Sequence, residues 1–331
     1  MISDKAAAIR LGIPKGSLQE STLAIFERVG LHFSGGSRTL WLNSNDPEII
    51  PVLLKPQEIP GYVRSGRLDV GLSGRDWIVE QDVLQHVRLM AELPFSRQTD
   101  RPVRWVLAVP ESSVIENVDD LREVCDERRA GGSPFTISTE LTRISKMWLA
   151  RCGVDAQVEF SWGATEAKAE YFADAIIECT ETGASLRANH LREVAEIFRS
   201  TNQFFVNRKI YSEDPWKRRK LDGMTHLILG ALKANDFVEL RIIASKSLEL
   251  GEILGDGVRT VTISEPTGGT PFIATVTLPK SEISRAMPAV ISAGATDAWV
   301  SPMAIYYGSE VAYPPAEFIE EVGSSIGVRT V

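Results

Sequence analysis

The chain has 331 residues, too many for one small core, and its 44% hydrophobic and 24% charged composition fits a soluble globular protein of two or three domains. A formal net charge of −8 argues against a nucleic-acid surface, where a basic stripe is expected, so anionic substrates must be met by local cations. Cys125, Cys152 and Cys179 are odd in number and lack metal-ligand spacing, and MISDKAAAIRLGIPKG holds no apolar run long enough for a signal peptide or membrane span. The expectation is therefore a cytoplasmic protein with reduced thiols and neither membrane nor nucleic-acid partners.

Ile9, Leu11 and Ile13 alternate as a strand, which Pro14-Lys15-Gly16-Ser17 breaks. Ser17 and Glu20 have capping-box spacing, and Leu18, Thr22, Ile25, Phe26 and Val29 mark a helix face. Lys15 thus stands beside a helix N-terminus, where the dipole disfavours a cation unless an anion is bound; the alternative is a solvated Lys on a turn. Arg38, in GSRTLWL, has the look of a surface Arg on a strand edge. Pro60 suits a first helical turn, Gly66 a helix end, and Leu68 to Leu72 a buried strand that opens at Ser73-Gly74 into another helix start. Asp69 and Asp76 are candidate ligands or caps, the cap being the weightier reading for Asp76.

Arg104 to Val109 is a strand crossing into a second lobe, followed by a helix at Leu121 to Arg129 and a strand at Phe135 to Ser138. Leu141, Ile144, Trp148 and Cys152 give a helix face ending at Gly153; Val158 and Phe160 suggest a strand and Glu166 to Phe172 a helix. Then comes DAIIECTETGASLRANHL, from Asp174 to Leu191: a strand ending in acidic residues, a small-residue loop, and a helix expected from the spacing of Leu191, Val194, Ala195 and Phe198. Loop N–H groups and a helix dipole can hold a phosphate, carboxylates just before them can accept bonds from ribose hydroxyls, and Gly183 permits close approach. The plainer reading of such a loop is a capped helix start. Phe204 to Val206 returns the chain to the first lobe, and Asp214 to Lys220, DPWKRRK, reads as a charged connector. Beyond a helix around Leu227, Leu229 and Leu232, strands at Val238 to Ala244, Val258 to Ser264, Phe272 to Leu278 and Ala298 to Ile305, with helices at Ser247 to Leu254 and Ser281 to Ser292, give the ferredoxin-like order βαββαβ. The four histidines have no ligand spacing, and the seven tryptophans suit packing, although one near a cleft could cover a base.

The string TETGASLRANHL closely resembles the phosphoribosyl-pyrophosphate (PRPP) loop of ATP phosphoribosyltransferase, the first enzyme of histidine biosynthesis. Glu178 stands where that family usually has Asp, and His190 replaces a Gly in the expected helix. IPKGSLQESTLAIFERVGL resembles the opening of the same family, although many members carry Arg where Ser17 stands. Glu58, Ile59, Pro60, Tyr62, Val63, Gly66, Asp69, Gly71, Gly74 and Asp76 follow a third family segment, while ILGALKANDFVELRI, the Glu265-Pro266-Thr267 turn and Gly294-Ala295 resemble the C-terminal domain of its long form.

The resemblance implies an α/β fold: a two-lobe, type II periplasmic-binding-protein-like catalytic region and a C-terminal ferredoxin-like regulatory domain. Its implied division is 1–100 plus 190–215 for lobe I, 101–189 for lobe II, 225–312 for the regulatory domain, and 313–331 unassigned. It further implies that ATP and PRPP condense to N1-(5-phosphoribosyl)-ATP and pyrophosphate, with Lys15, Glu178 and Glu181 catalytic. PRPP would lie against Asp174, Glu178, Glu181 and Thr182, Gly183, Ala184, Ser185 and Leu186. Lys15, Gly16, Ser17, Arg38, Asp69 and Gly74 would serve ATP or phosphate, and Mg²⁺ would ride on substrate phosphates without protein ligands. Feedback inhibition by histidine and a hexamer built from dimers complete the implication. The rivals are a paralogue that is non-catalytic or uses another acceptor, and a solute-binding protein, which would ordinarily carry an export signal.

Overall fold

The computed structural model describes residues 8–35, 39–94, 102–255, 258, 260–264, 271–306 and 329–330. Arg38, the Glu265-Pro266-Thr267 turn and all of the 313–331 tail except Arg329 and Thr330 lie outside the described residues. The first lobe runs β1 (Ile9–Pro14), α1 (Gln19–Arg28), β2 (Phe33–Ser34), β3 (Asn43–Ser44), β4 (Ile49–Leu54), α2 (Ile59–Arg64), β5 (Val70–Gly74), α3 (Arg75–Glu80) and β6 (Val87–Leu93). The second adds β7 (Val103–Pro110), α4 (Val118–Ala130), β8 (Thr136–Thr139), α5 (Thr142–Cys152), β9 (Gln157–Phe160), β10 (Ala175–Thr180), α6 (Ala184–Ala188) and β11 (Leu191–Ser200). The chain then returns through β12 (Asn202–Asn207), α7 (Arg208–Glu213) and α8 (Pro215–Lys233).

The first sheet has the order β4-β1-β5-β12-β6, with β1 parallel to β4 and β5 and the returning β12 antiparallel to β5 and β6. Its inner strands are buried on both faces, which is why Ile9 to Ile13 and Val70 to Gly74 read as almost continuous apolar or small runs. Helix α2 carries Pro60 in its first turn and Gly66 at φ 72° just past its end, as their positions in the sequence predict. It lies so close to β5 that a Cβ on Gly71 would be 2.3 Å from Ile59 Cγ2. The second sheet has the order β17-β11-β7-β10-β8-β9, where β17 is Arg329–Thr330 and β8, β9 and β10 are parallel neighbours. Leu107, Ile137, Trp148, Ile177 and Phe198 are among its fully buried core. Two α/β lobes crossed twice, after β6 and between β11 and β12, are the architecture expected.

Three expectations are corrected. The segment from Leu191 to Arg199 is not a helix but most of β11, paired antiparallel to β7 from Leu191↔Pro110 to Ser200↔Val103. Register shifts between Glu193 and Ala195 and between Glu196 and Phe198 insert residues into the strand, so its inward positions fall at helix-like spacing. The helix of the loop is only α6, and His190 lies beyond its Asn189 cap at φ 55°, the left-handed conformation in which a Gly is at ease. Replacing His190 by Gly is expected to leave stability equal or higher by up to about 1 kcal/mol, whereas β-branched Val should lower it by about 1–2 kcal/mol, read from denaturation midpoints. Second, Glu166 to Phe172 holds one 3₁₀ turn, Thr165–Lys168, and stops because Glu170 turns to φ 78° while the Phe172 and Ala173 N–H groups both donate to Lys168 O. Third, Asp214 to Lys220 starts a helix: Asp214 Oδ1 accepts from the N–H groups of Trp216 and Lys217 at 3.0 Å each, and Pro215 occupies the first helical position. Its lysines point back into the fold, Lys220 to Asp46 and Glu48 and Lys217 to Asp69.

The chain divides into two compact units, the second taking Ala24–Leu31, from within α1, and Asp222–Ala312, from within α8, and the first the remainder. The unit with the C-terminal half of α8 contains β13 (Phe237–Ala244), α9 (Leu250–Leu254), β14 (Thr260–Ser264), β15 (Phe272–Pro279), α10 (Ile283–Ser292) and β16 (Ala295–Pro302). Its antiparallel sheet has the order β14-β15-β13-β16, the ferredoxin-like arrangement, closed over Leu240, Ile242, Phe272, Val276 and Val290. Within this unit Arg28 ties the end of α1 to Ala231 O at 2.7 Å and to Asn235 Oδ1 at 3.0 Å.

Candidate active site

A cleft opens between the two lobes of the first unit. Ser17, Leu18, Pro56, Gln57, Gly74 and Trp77 line it from lobe I, Val103 and Cys179 from lobe II, and Ser200, Thr201 and Asn202 from the returning strand. The lobe I residues lie at the C-terminal ends of β1, β4 and β5, where α/β sheets present ligand-binding loops. Lys15 follows β1 with its N–H donated to Leu54 O at 2.7 Å and its side chain exposed; Gly16 next to it has φ 102°. Gly74 begins α3 at the cleft wall, where an added Cβ would be 2.1 Å from Asp76 Oδ1.

Helix α3 joins the lobes. Asp76 lines the cleft and is not the N-cap of α3, which is Gly74: Oδ2 accepts from Trp105 Nε1 on β7 at 2.7 Å, Oδ1 from its neighbour Trp77 N at 2.8 Å, and its own N–H donates to Ser200 Oγ at 3.1 Å. Glu80, at the other end of α3, accepts from the N–H groups of Arg143 at 2.8 Å and Ile144 at 2.9 Å and from Thr142 Oγ1 at 3.2 Å. It thereby caps α5 from outside, where the preceding Leu141 has no side-chain acceptor.

In lobe II the acidic end of β10 and the small-residue loop meet as the sequence suggests. Ile176, Glu178 and Thr180 share one face of β10. Burial pushes the Glu178 carboxyl above its ordinary range, the charges of Glu166 and Glu140 add to this, and bonds from Cys179 N–H, at 2.9 Å, and the Thr165 hydroxyl partly offset it. Thr180 Oγ1 accepts from Gly183 N–H at 2.8 Å and folds Glu181-Thr182-Gly183 into a tight bend. Gly183 has φ 72° there, so the backbone conformation favours glycine; a Cβ would come within 2.7 Å of Glu193 Oε1 and 2.8 Å of Arg187 Nη1, the tips of long side chains. Thr182, Ala184 and Ser185 are exposed, while Leu186 anchors the loop among Val106, Ala108, Ala169, Ile176 and Leu191.

Two candidates lie elsewhere. Asp174 stands before the first residue of β10, about 13 Å along the strand from Glu178; it accepts from Thr136 N at 2.8 Å and pairs with Arg128 at 3.1 Å. Asp69 stands before β5, about 16 Å from Gly74, buried against Arg10 at 3.0 Å and Lys217 at 2.8 Å. Both carboxylates are occupied at the N-terminal edges of their sheets, where alternation and motif spacing carry no information about distant partners.

The residues that sequence reasoning missed are on the 3₁₀ turn Thr165–Lys168. Thr165 bonds Glu178, Glu166 accepts from the loop's Ser185 Oγ at 2.5 Å, and Lys168 Nζ contacts Ser161 Oγ at 2.5 Å. One short turn therefore holds both the acidic strand end and the loop. Two neighbouring residues in left-handed conformation, Gly163 at φ 120° and Ala164 at φ 48°, mark it, and only the Gly gives a signal in the sequence.

The sequence profile of the family described as HisG: ATP phosphoribosyltransferase matches residues 55–230. The chain belongs to this family. It is 42% identical over 295 residues to an ATP phosphoribosyltransferase of Chlorobium chlorochromatii, with 89% of this chain and 96% of that protein covered. A namesake from Thermodesulfovibrio yellowstonii is 39% identical over 293 residues, covering 88% of this chain and 96% of the relative. A solved ATP phosphoribosyl transferase (HisG:HisZ) complex from Thermotoga maritima superimposes with a TM-score of 0.53 at 23% identity, covering 66% of this chain and 96% of that one, and it speaks for the fold. The chain is thus an ATP phosphoribosyltransferase of histidine biosynthesis, a pentosyltransferase. Among the described residues no helix is long and apolar enough to cross a membrane, and no group of three or more His, Cys, Asp or Glu is arranged to hold a metal ion.

Proposed function

We propose that this ATP phosphoribosyltransferase joins N1 of the adenine of ATP to C1 of the PRPP ribose, releasing pyrophosphate, and that histidine bound to the ferredoxin-like unit inhibits it. The observation that carries the reading is the adjacency of Glu178 and the Thr182–Leu186 loop, both held by the turn Thr165–Lys168. Breaking the bond at C1 leaves positive charge on the sugar and negative charge on pyrophosphate. A carboxylate fixed near C1 favours the first, and a cation near the leaving group the second.

In this reading Glu178 and Glu181 face the ribose, the loop takes the 5′-phosphate, and Lys15, with Gly16, Ser17 and Gly74 at the opposite wall, meets pyrophosphate or ATP phosphates. Arg38 remains a candidate for the same phosphates. Magnesium enters on the substrate phosphates, whose hard oxygens suit it. No side chain is required as a covalent nucleophile, and rate comes from positioning. Cytoplasmic location and a hexamer built from dimers belong to the same proposal, as do the domain limits 1–100 plus 190–215, 101–189 and 225–312.

The test is a spectrophotometric assay with ATP, PRPP and Mg²⁺, following adenine absorption on N1 ribosylation with and without histidine. Adduct formation suppressed by histidine is expected. Adduct without suppression would remove the regulatory part; PRPP binding without adduct would point to another acceptor.

A further inference from the structure

The turn between β9 and β10 carries a chain of hydrogen bonds whose direction is fixed at both ends. Lys168 Nζ lies 2.5 Å from Ser161 Oγ, and an ammonium can only donate. At the other end the Thr165 hydroxyl bonds the Glu178 carboxylate, and its single proton is committed there. Ser161 Oγ and Thr165 Oγ1 are 2.9 Å apart, and with the Thr165 proton on Glu178 it is Ser161 that donates to Thr165, the other acceptor within its reach being Gly163 O at the longer distance of 3.5 Å. The order is Lys168 to Ser161 to Thr165 to Glu178. Both hydroxyls are buried, at 0% and 1% exposure, and Ser161 is pinned at the end of β8 by its N–H to Thr139 O at 2.8 Å.

We propose that Lys168, acting through Ser161 and Thr165, is a positioning residue that keeps Glu178 ionised and turns its remaining acceptor capacity toward the ribose; this rests on Glu178 being the ribose-facing carboxylate. The need is electrostatic. Glu178 is half-buried, with Glu140, from the β8–α5 loop, and Glu166, from the same turn, facing it with like charge. Arg104 on neighbouring β7 is taken up by Glu193 at 2.9 Å. A relay of two hydroxyls with a cation at its far end is polarised along its length, which strengthens the bond into the carboxylate. Lys168 thus carries positive charge to the site without occupying it.

The experiment is the pH profile of kcat/KM for PRPP in the full-length enzyme, for Lys168→Met, Thr165→Val, the conservative Lys168→Arg and Glu178→Gln. Interrupting the relay is expected to move the acidic limb of the profile upward by about one pH unit, a loss greatest at low pH and shrinking as pH rises, with Lys168→Arg restoring the wild-type limb. An unchanged limb in both Lys168→Met and Thr165→Val, whether or not activity falls uniformly, overturns the proposal. If Glu178→Gln keeps both activity and limb, the underlying reading of Glu178 fails instead. Should Lys168→Met not fold, Thr165→Val together with the pH dependence of PRPP binding by calorimetry decides the matter by the same shift.

Discussion

Replacing Glu178 by Gln is expected to lower kcat/KM for PRPP by about 10²–10³-fold, the scale of losing one preorganised charge from a transition-state site. Gln has nearly the same volume and its amide oxygen can still accept from Cys179 N–H, so the loop should keep its shape. Stability should not fall. The folded-state pKa of Glu178 is raised, so its contribution is present below the unfolded value and lost as pH rises through the folded one. At neutral pH the charge is a burden that Gln removes, and the melting temperature of the variant should match or exceed the wild type. Lost activity with retained or increased stability separates a functional charge from a packing residue. Glu178→Asp, which restores the usual residue of the family, keeps the charge on a shorter arm and should retain much more activity than Gln. Equal activity in Gln and wild type would remove Glu178 from the chemistry.

Asp69→Asn should do the converse. Burial raises the carboxyl of Asp69, but bonds from Arg10 and Lys217 more than offset it and hold the group below its ordinary range. Oδ1 lies 3.0 Å from Arg10 Nη2 and 2.8 Å from Lys217 Nζ, and Oδ2 accepts from Arg10 N at 2.8 Å. Asn leaves Lys217, nearly buried on α8, without its counter-charge, and breaking such a pair costs on the order of 3 kcal/mol, or roughly 5–10 °C in melting temperature. A depressed carboxyl pKa contributes stability above the unfolded value and loses it as pH falls through the folded one. Wild type should therefore lose on acidification below about pH 4 a component of stability that the variant already lacks. Calorimetric scans across that range measure it, and a variant within about 0.5 kcal/mol of wild type would show that the pair contributes little. Asp69 stands at the edge of its sheet opposite Lys15, so the remaining folded enzyme should keep its KM for PRPP.

How far the sequence went can be judged from particular residues. Pro60 and Gly66 bound α2, Gly153 ended α5, the run of strands and helices after Phe237 gave the ferredoxin-like sheet, and Thr180 to Leu186 announced the loop. These signals act over one helical turn or one strand, where capping, φ preference and period are written in neighbouring residues. The strand β11 escaped because two register shifts gave it the spacing of a helix, and those shifts exist only by pairing with β7. The employment of Asp69 by Lys217, 148 residues away, of Asp174 by Arg128, 46 away, and of Glu80 as a cap for α5, 63 away, left no trace in local pattern. The relay into Glu178 is shorter in sequence yet equally hidden, since Ser161, Thr165 and Lys168 become a chain only when strained residues fold the turn against β10. Local propensity and motif determined the elements and the loop; the partners of each charge were decided by which strands and helices came to lie side by side, because an ion pair or hydrogen bond depends on distance in space and not on separation along the chain.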